Sequence, residues 1–514
     1  MELTPANRKS WGKPIVLEDE AEDSSATQHT YVDLSSNDLT VISGAALLAA
    51  DCMGTGILAL PYSMKELGLP FGLFFLILNI PINFYAGSIL NEAAKSVEAK
   101  LTNTCSYQTI HNETPINSKS SVIDTILDNN DTQELELSVQ RSHQSHAHSV
   151  DNIQDRSGID NAHTFDFVGL TYALFDYPSR SSCATFTVLS IYYLNLILVL
   201  GNYILVMSHS VKAVAGENIC LPVAGLIANI LMLGISQLPT MASLGRMVSV
   251  FSLLSLVVVV VLCLISLHGN ERMRFLEHNE STFSNHSTTS NFLRQLAAIS
   301  AIGFSVGSQK LFLNIRHEFK DRNESPKSLG ISLISFGTVY AVVCIAAGEN
   351  PPEFLFDAIQ NGLARRFAGL MLWLHLAVSF SINAQALCSS MDRLKLHRVQ
   401  ILRLHERHRL RWFLLTLLVT TFSYLIANSV PFFSDLVALI GALTSVPLTL
   451  LLPALLYRKM MGLPLFLLGN DISSSSICSF LLVIFSLFFL IFGVLGSSFS
   501  IAVDWRDRGS PFEC

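Results

Sequence analysis

Charge is scarce in this chain. Asp, Glu, Lys and Arg make up only 14% of its 514 residues, and long stretches carry almost none. That composition sets aside an ordinary soluble domain, whose surface is much richer in charge. A broad positive face is also missing, since 33 Lys and Arg stand against 40 acids, so nucleic acid is not an expected partner. The nine cysteines make no disulfide framework. Cys52, Cys183, Cys263, Cys344, Cys388 and Cys478 fall within or at the ends of apolar runs and read as small apolar residues, Cys105 lies in a polar segment, and Cys220 and Cys514 are left as a candidate pair that nothing requires. The first 39 residues are polar and acidic (Leu17-Glu18-Asp19-Glu20-Ala21-Glu22-Asp23) and lack the short apolar core of a cleavable leader, so the first long apolar run is expected to be its own insertion signal. Asp51, His375 and Lys310 sit on different runs without a nucleophile–base motif, which argues against a membrane-embedded enzyme. No metal site or cofactor is expected.

What is present is hydrophobic length. Half of the residues are hydrophobic and the mean hydropathy is +0.44. Apolar runs of about 17–25 residues suffice to cross a bilayer as helices. Eleven such spans are predicted, at 40–62, 69–94, 183–207, 221–238, 247–268, 294–315, 329–347, 366–389, 412–430, 434–457 and 477–498. The fold class is therefore an all-α membrane protein. Two spans contain glycines near their middles: Gly54-Thr55-Gly56 in the first and Gly303-Phe304-Ser305-Val306-Gly307 in the sixth. A helix interrupted in lipid leaves backbone groups unpaired unless protein or a ligand meets them. Two interrupted spans, five apart, predict a transporter of two repeats with a small polar solute held where the interruptions meet.

Lysine and arginine placement predicts orientation. Residues 393–411 carry seven of them (Arg393, Lys395, Arg398, Arg403, Arg407, Arg409, Arg411) against Glu406, which places that linker in the cytoplasm, near anionic lipid headgroups. Counting spans then puts the N-terminus inside and the C-terminus outside or in a lumen, at the plasma membrane or a vacuolar or lysosomal membrane. The four basic residues of 316–327 fall inside. Two sequons, at Asn279 and Asn285, fall in an outward loop and are candidate glycosylation sites. Arg272, Arg274, Arg365 and Arg366 pull weakly the other way. The segment 98–163 is polar and poor in aromatics, and reads as a disordered cytoplasmic insertion. Its Ser142-His143-Gln144-Ser145-His146-Ala147-His148 lacks the Cys or carboxylate frame of a metal site.

Several separated motifs resemble one family. Pro431-Phe432-Phe433-Ser434-Asp435-Leu436, then Gly441-Ala442, then Pro447-Leu448-Thr449 and Pro453, resembles the ninth-to-tenth helix region of the amino acid/auxin permeases. Gly54 to Tyr62 resembles that family's first helix, and Ser236-Gln237-Leu238-Pro239 with Leu244, Ser249 and Ser252 its fourth-to-fifth helix turn. The resemblance covers roughly residues 40–460 and rests on motifs in the right order. It implies a leucine-transporter-type fold of two inverted five-helix repeats plus one helix, with helices 1 and 6 broken at mid-membrane. It also implies amino acid transport coupled to protons or sodium. The expected organisation is an acidic N-terminus at 1–39, a first repeat at 40–268, an outward loop at 269–293, a second repeat at 294–457, a linker and last span at 458–498, and a short outward tail at 499–514.

An amino acid zwitterion needs donors for its carboxylate and acceptors for its ammonium. Gly54, Thr55 and Gly56 offer free N–H groups next to the positive end of a half-helix, and Gly303, Phe304 and Ser305 offer carbonyls. The same glycines also suit close helix packing. Tyr192, Tyr193 and Asn195 face either the pocket or a neighbouring helix. For coupling, Asp51 is a carboxyl in apolar surroundings, either a proton carrier or a group hydrogen-bonded in the bundle. Sodium would need oxygen ligands such as Ser379, Ser381 and Asn383, with Gln385 beside them. Yet sodium-coupled relatives carry an asparagine where this chain has Ala50, and some relatives a histidine where it has Gln309. Protons are the expected coupling ion and sodium the alternative. A further alternative is an amino acid sensor that binds without transporting. Oligomeric state is left open.

Overall fold

The computed structural model describes residues 40–112, 167–176, 183–216, 218–237, 241–274, 288–307, 310, 312–316, 319, 321–396, 405–467, 473–508 and 511–513. Among the described residues the fold is all helical. The principal helices are α1 (Val41–Cys52), α2 (Gly56–Leu67), α3 (Leu69–Asn112), α4 (Cys183–Ala215), α5 (Leu221–Ile235), α6 (Met241–Arg274), α7 (Thr288–Val306), α8 (Phe312–Arg316), α9 (Ser325–Ala347), α10 (Leu363–Leu396), α11 (His405–Ser429), α12 (Phe433–Ile440), α13 (Leu452–Met460) and α14 (Ser474–Arg508). Eight stretches among the described residues are long and apolar enough to cross a membrane, and α5 is a shorter apolar helix. Asn279, Asn285, Gln309, the histidine-rich run and the tail cysteine Cys514 lie outside the described residues.

The helices expose apolar side chains at helical spacing. Phe251, Leu254, Val257, Val261 and Ile265 form such a stripe on α6, Ile331, Ile334, Val342 and Ile345 on α9, and Leu481, Ile484, Phe488, Ile491 and Leu495 on α14. Their i, i+3, i+4 rhythm presents a continuous greasy face outward. The interior, by contrast, holds Asn195, Asn202, Ser381, Asn383, Thr444 and Ser445, all buried. An apolar exterior around a core dotted with small polar groups is the arrangement that hydrocarbon solvent favours.

Local chemistry sets the helix ends. Thr40 opens α1 with a capping box, accepting from the Ser43 N–H at 3.3 Å while the Ser43 hydroxyl accepts from the Thr40 N–H at 3.0 Å. Gly68 ends α2 with φ +80°, a conformation a Cβ would oppose. The helix α3 has 44 residues, about 66 Å at 1.5 Å each, well beyond the hydrocarbon thickness of about 30 Å. The polar segment expected to begin at residue 98 therefore continues the helix as far as Asn112. Between α12 and α13 the chain runs through two wide π-type turns, Gly441–Ser445 and Pro447–Leu451. Pro447 and Pro453 donate no N–H and crowd the preceding turn, which forces this widening.

Arg458, fully buried near the end of α13, pins the following loop to α14. Its guanidinium donates to the Pro464 carbonyl at 2.9 and 2.6 Å, the Ser476 carbonyl at 3.0 Å, the Ser479 hydroxyl at 3.1 Å and the Leu467 carbonyl. A planar fork with five N–H groups suits this set, and an ammonium with three does not. Arg458→Lys is expected to lower stability by about 2 kcal/mol or more, measured as a fall in the thermal unfolding midpoint in detergent.

Candidate functional site

The helices α1 and α2 meet at Met53, Gly54 and Thr55, all buried. Neighbours meet the backbone and side-chain groups there. Tyr340 on α9 donates its hydroxyl to the Cys52 carbonyl at 2.7 Å, closing the end of α1. The Met53 N–H donates to the Ala49 carbonyl at 2.8 Å. Asn202, fully buried on α4, donates Nδ2 to the Thr55 Oγ1 at 2.8 Å. Gly56 lies against Ser305 of α7: a Cβ on it would stand 2.7 Å from the Ser305 hydroxyl and 3.0 Å from the Ser305 Cα. Glycine is thus the residue that lets these two elements touch.

Of the expected binding residues on α7, Ser305 turns its hydroxyl to the Ala301 carbonyl at 2.9 Å. Phe304 is buried, with the Lys310 ammonium 5.6 Å from its ring centroid, a cation–π contact. The Phe304 carbonyl accepts from the Gly307 N–H at 3.4 Å, near the end of α7. A Cβ on Gly303 would meet the Phe489 ring of α14 and the Val446 side chain. On α4, Asn195 donates to Thr444 Oγ1 at 2.8 Å and Ser445 Oγ at 3.0 Å, both within the first wide turn of the interrupted α12–α13 stretch. Tyr192 is buried, and Tyr193 shares a 2.9 Å hydrogen bond with Ser390 of α10.

The expected ion residues are spread along α10. The Ser381 hydroxyl donates to the Ala377 carbonyl at 2.8 Å and Asn383 Nδ2 to the Ser379 carbonyl at 2.9 Å, so both bond within their own helix. Gln385 is half-buried farther along. His375, buried, joins α10 to α6: its Nδ1 lies 2.8 Å from the Ser252 hydroxyl. The backbone of Asp51 belongs to α1, and its side chain lies outside the described residues. Among the described residues no cluster of three or more His, Cys, Asp or Glu could hold a metal ion.

Polar clusters stand at either end of the α7–α8 element. At the α8 end, Arg316 is buried and grips Glu98 of α3 through two hydrogen bonds of 2.6 and 2.9 Å, while its Nε donates to Asn91 at 2.7 Å. Arg322 adds a contact to Glu98 at 3.2 Å. The bidentate fork fixes α8 against α3 in one orientation. At the α7 end a polar pocket is lined by Tyr62, Glu66, Arg294, Glu353, Asp435 and Asp504, with Arg294 3.9 Å from Asp504.

Several of these partners were not singled out by the sequence. Asn202 lies two helical turns beyond Asn195, on the same face, and that spacing was the available signal. Tyr340, Glu98 and Asn91 act through contacts far along the chain and carry no local mark. Glu98→Gln is expected to destabilise the protein by on the order of 3 kcal/mol, because it leaves the Arg316 guanidinium buried beside a neutral amide. The double change Glu98→Leu with Arg316→Met should recover most of that loss, as read by thermal unfolding.

The comparison with protein families is direct. The chain matches the family model described as transmembrane amino acid transporter protein over residues 37–125 and 164–499, which takes in α1 through most of α14. No curated protein matches it closely. With membrane-length helices, an apolar exterior and that match over most of its length, the chain is an integral multi-pass membrane protein and belongs to the transmembrane amino acid transporter family.

Proposed function

We propose that the protein is a secondary active transporter that moves an amino acid across its membrane by alternating access. The observation that carries the reading is the contact of Gly56 with Ser305. It joins the junction of α1 and α2 to the end of α7, the two places where substrate backbone groups would be met. In this reading α1–α2, α5 and α7–α8 complete the eight membrane-length stretches to eleven spans, arranged as two inverted five-helix repeats and one additional helix. The N–H groups of Gly54, Thr55 and Gly56 receive the substrate carboxylate, and the carbonyls of Gly303, Phe304 and Ser305 receive its ammonium. Phe304, Tyr192 and Asn195 border the side-chain space.

The two end clusters support alternating access by chemistry alone. The pairing of Arg316 and Glu98 ties α3 to α8 at one end, and the pocket between Tyr62, Arg294 and Asp504 lies at the other. A rocking bundle opens one end while the other is closed. The basic linker 393–411 favours a cytoplasmic face for the Arg316 end, with the N-terminus inside and the C-terminus outside or in a lumen. Asp51 is the proposed proton carrier. Ser381 and Asn383 donate within α10 and keep their oxygen lone pairs, so they stay the alternative sodium ligands, and the case against sodium rests on Ala50 and Gln309.

Uptake into proteoliposomes of purified protein, given a mixture of labelled amino acids, tests the reading. Accumulation under an imposed proton gradient is the expected outcome, and Asp51→Asn should flatten its pH dependence. Accumulation under sodium alone would overturn proton coupling, and binding without accumulation would overturn transport in favour of a sensor. Gly56→Ala is expected to cut uptake by about tenfold or more, since its methyl meets Ser305. Ser305→Gly in the same chain should restore part of it; uptake unaffected by Gly56→Ala would remove the proposed centre.

A further inference from the structure

Asn202 stands out among the buried polar groups of the bundle. It is fully buried, its Nδ2 is committed to Thr55 Oγ1 at 2.8 Å, and its Oδ1 has no hydrogen-bond partner among the described residues. The structure sets the Nδ2 end of the amide on Thr55 and leaves the Oδ1 end without a partner among the described residues. A carboxamide oxygen withdrawn from water is unfavourable unless a donor reaches it. Other buried polar side chains on α4 donate as well: Asn195 to the Thr444 and Ser445 hydroxyls, Ser208 and Ser210 to the carbonyls of Ile204 and Val206.

The position of this oxygen gives it a purpose. Thr55, which holds the amide, is the residue before Gly56, and Gly56 is the residue in contact with Ser305. The oxygen is therefore anchored at the junction of α1 and α2, beside the end of α7. A group that accepts and does not donate repels a carboxylate and attracts an N–H donor or a small cation. We infer that the Asn202 Oδ1 accepts a hydrogen bond from the substrate's α-ammonium group, making Asn202 a specificity-determining residue for a primary amine. This rests on the transporter reading above. It adds a side-chain acceptor to the backbone carbonyls and gives a reason for an amide at this depth. A sodium ion would present the same kind of chemistry to the oxygen, so the test separates the two.

The test is equilibrium binding to the purified full-length protein, in sodium-free buffer and again with sodium added. The probes are the standard amino acids, followed by the N,N,N-trimethyl form of the tightest binder, which keeps the positive charge and has no N–H. Wild type is expected to favour the primary amine by about tenfold or more, the scale of one charge-assisted hydrogen bond. Asn202→Leu should bring the two forms close to equal affinity. Asn202→Asp, which keeps an acceptor oxygen in that position, should retain the preference. Thermal unfolding reports whether each variant folds; should the leucine variant not fold, Asn202→Asp decides, retention supporting the assignment and loss overturning it. A folded Asn202→Leu that keeps the full preference overturns the role of Asn202 while leaving the transporter reading intact. Binding that requires sodium in wild type, and loses that requirement in Asn202→Leu, overturns the ammonium assignment in favour of an ion ligand. Failure of wild type to bind any amino acid in either buffer overturns the transporter reading and this inference with it.

Discussion

Everything in this bundle answers to one constraint: in apolar surroundings a backbone carbonyl or N–H must find a partner inside the protein. Where α1 stops and α2 begins, the helical ladder cannot supply one. The Cys52 carbonyl is met instead by Tyr340 from α9, and Thr55 by Asn202 from α4. The partners come from helices far along the chain. The junction is thereby wired to two neighbours at once, and a shift of α1 relative to α9 or α4 must break or exchange a buried hydrogen bond. Hydrogen bonds of this kind hold the junction in one arrangement and resist continuous deformation.

The same constraint explains why some polar side chains are poor candidates for binding anything. Ser381 and Ser305 both return their hydroxyls to the carbonyl one turn back in their own helix. That bond removes the hydroxyl's donor, although its lone pairs remain. Asn202 differs because the group it leaves open is a buried amide oxygen with no partner among the described residues. Position in a span does not distinguish these residues; the direction in which each bond is already committed does.

The helical class and the membrane setting were legible in the sequence because they rest on hydrophobic length, which survives without knowledge of contacts. Gly54-Thr55-Gly56 was a local mark of another kind, an interruption in an apolar run, and it falls where α1 gives way to α2. The pairing of Gly56 with Ser305 needed the fold, since nothing local says which glycine faces which serine. The extent of α3 was also hidden. Its last residues are polar and their composition resembles that of a loop, yet a helix already nucleated by a long apolar stretch continues through them at little cost. Arg316 was visible only as one of four basic residues after the sixth span. Its burial against Glu98 and Asn91 depends on two helices more than 200 residues apart in sequence.

The two buried arginines show how one side chain can serve opposite ends. Arg458 spends its donors on backbone carbonyls and a hydroxyl of the adjoining loop and helix. All of those acceptors belong to one short stretch of chain, so the contact fastens the loop after α13 to the start of α14. Arg316 is held by Glu98, which is itself partly exposed. The carboxylate gives Arg316 two charge-assisted hydrogen bonds in a fixed fork. Arg458 fastens a stretch of chain to its own neighbour, while Arg316 joins helices more than 200 residues apart in sequence and so sets how α8 sits against α3.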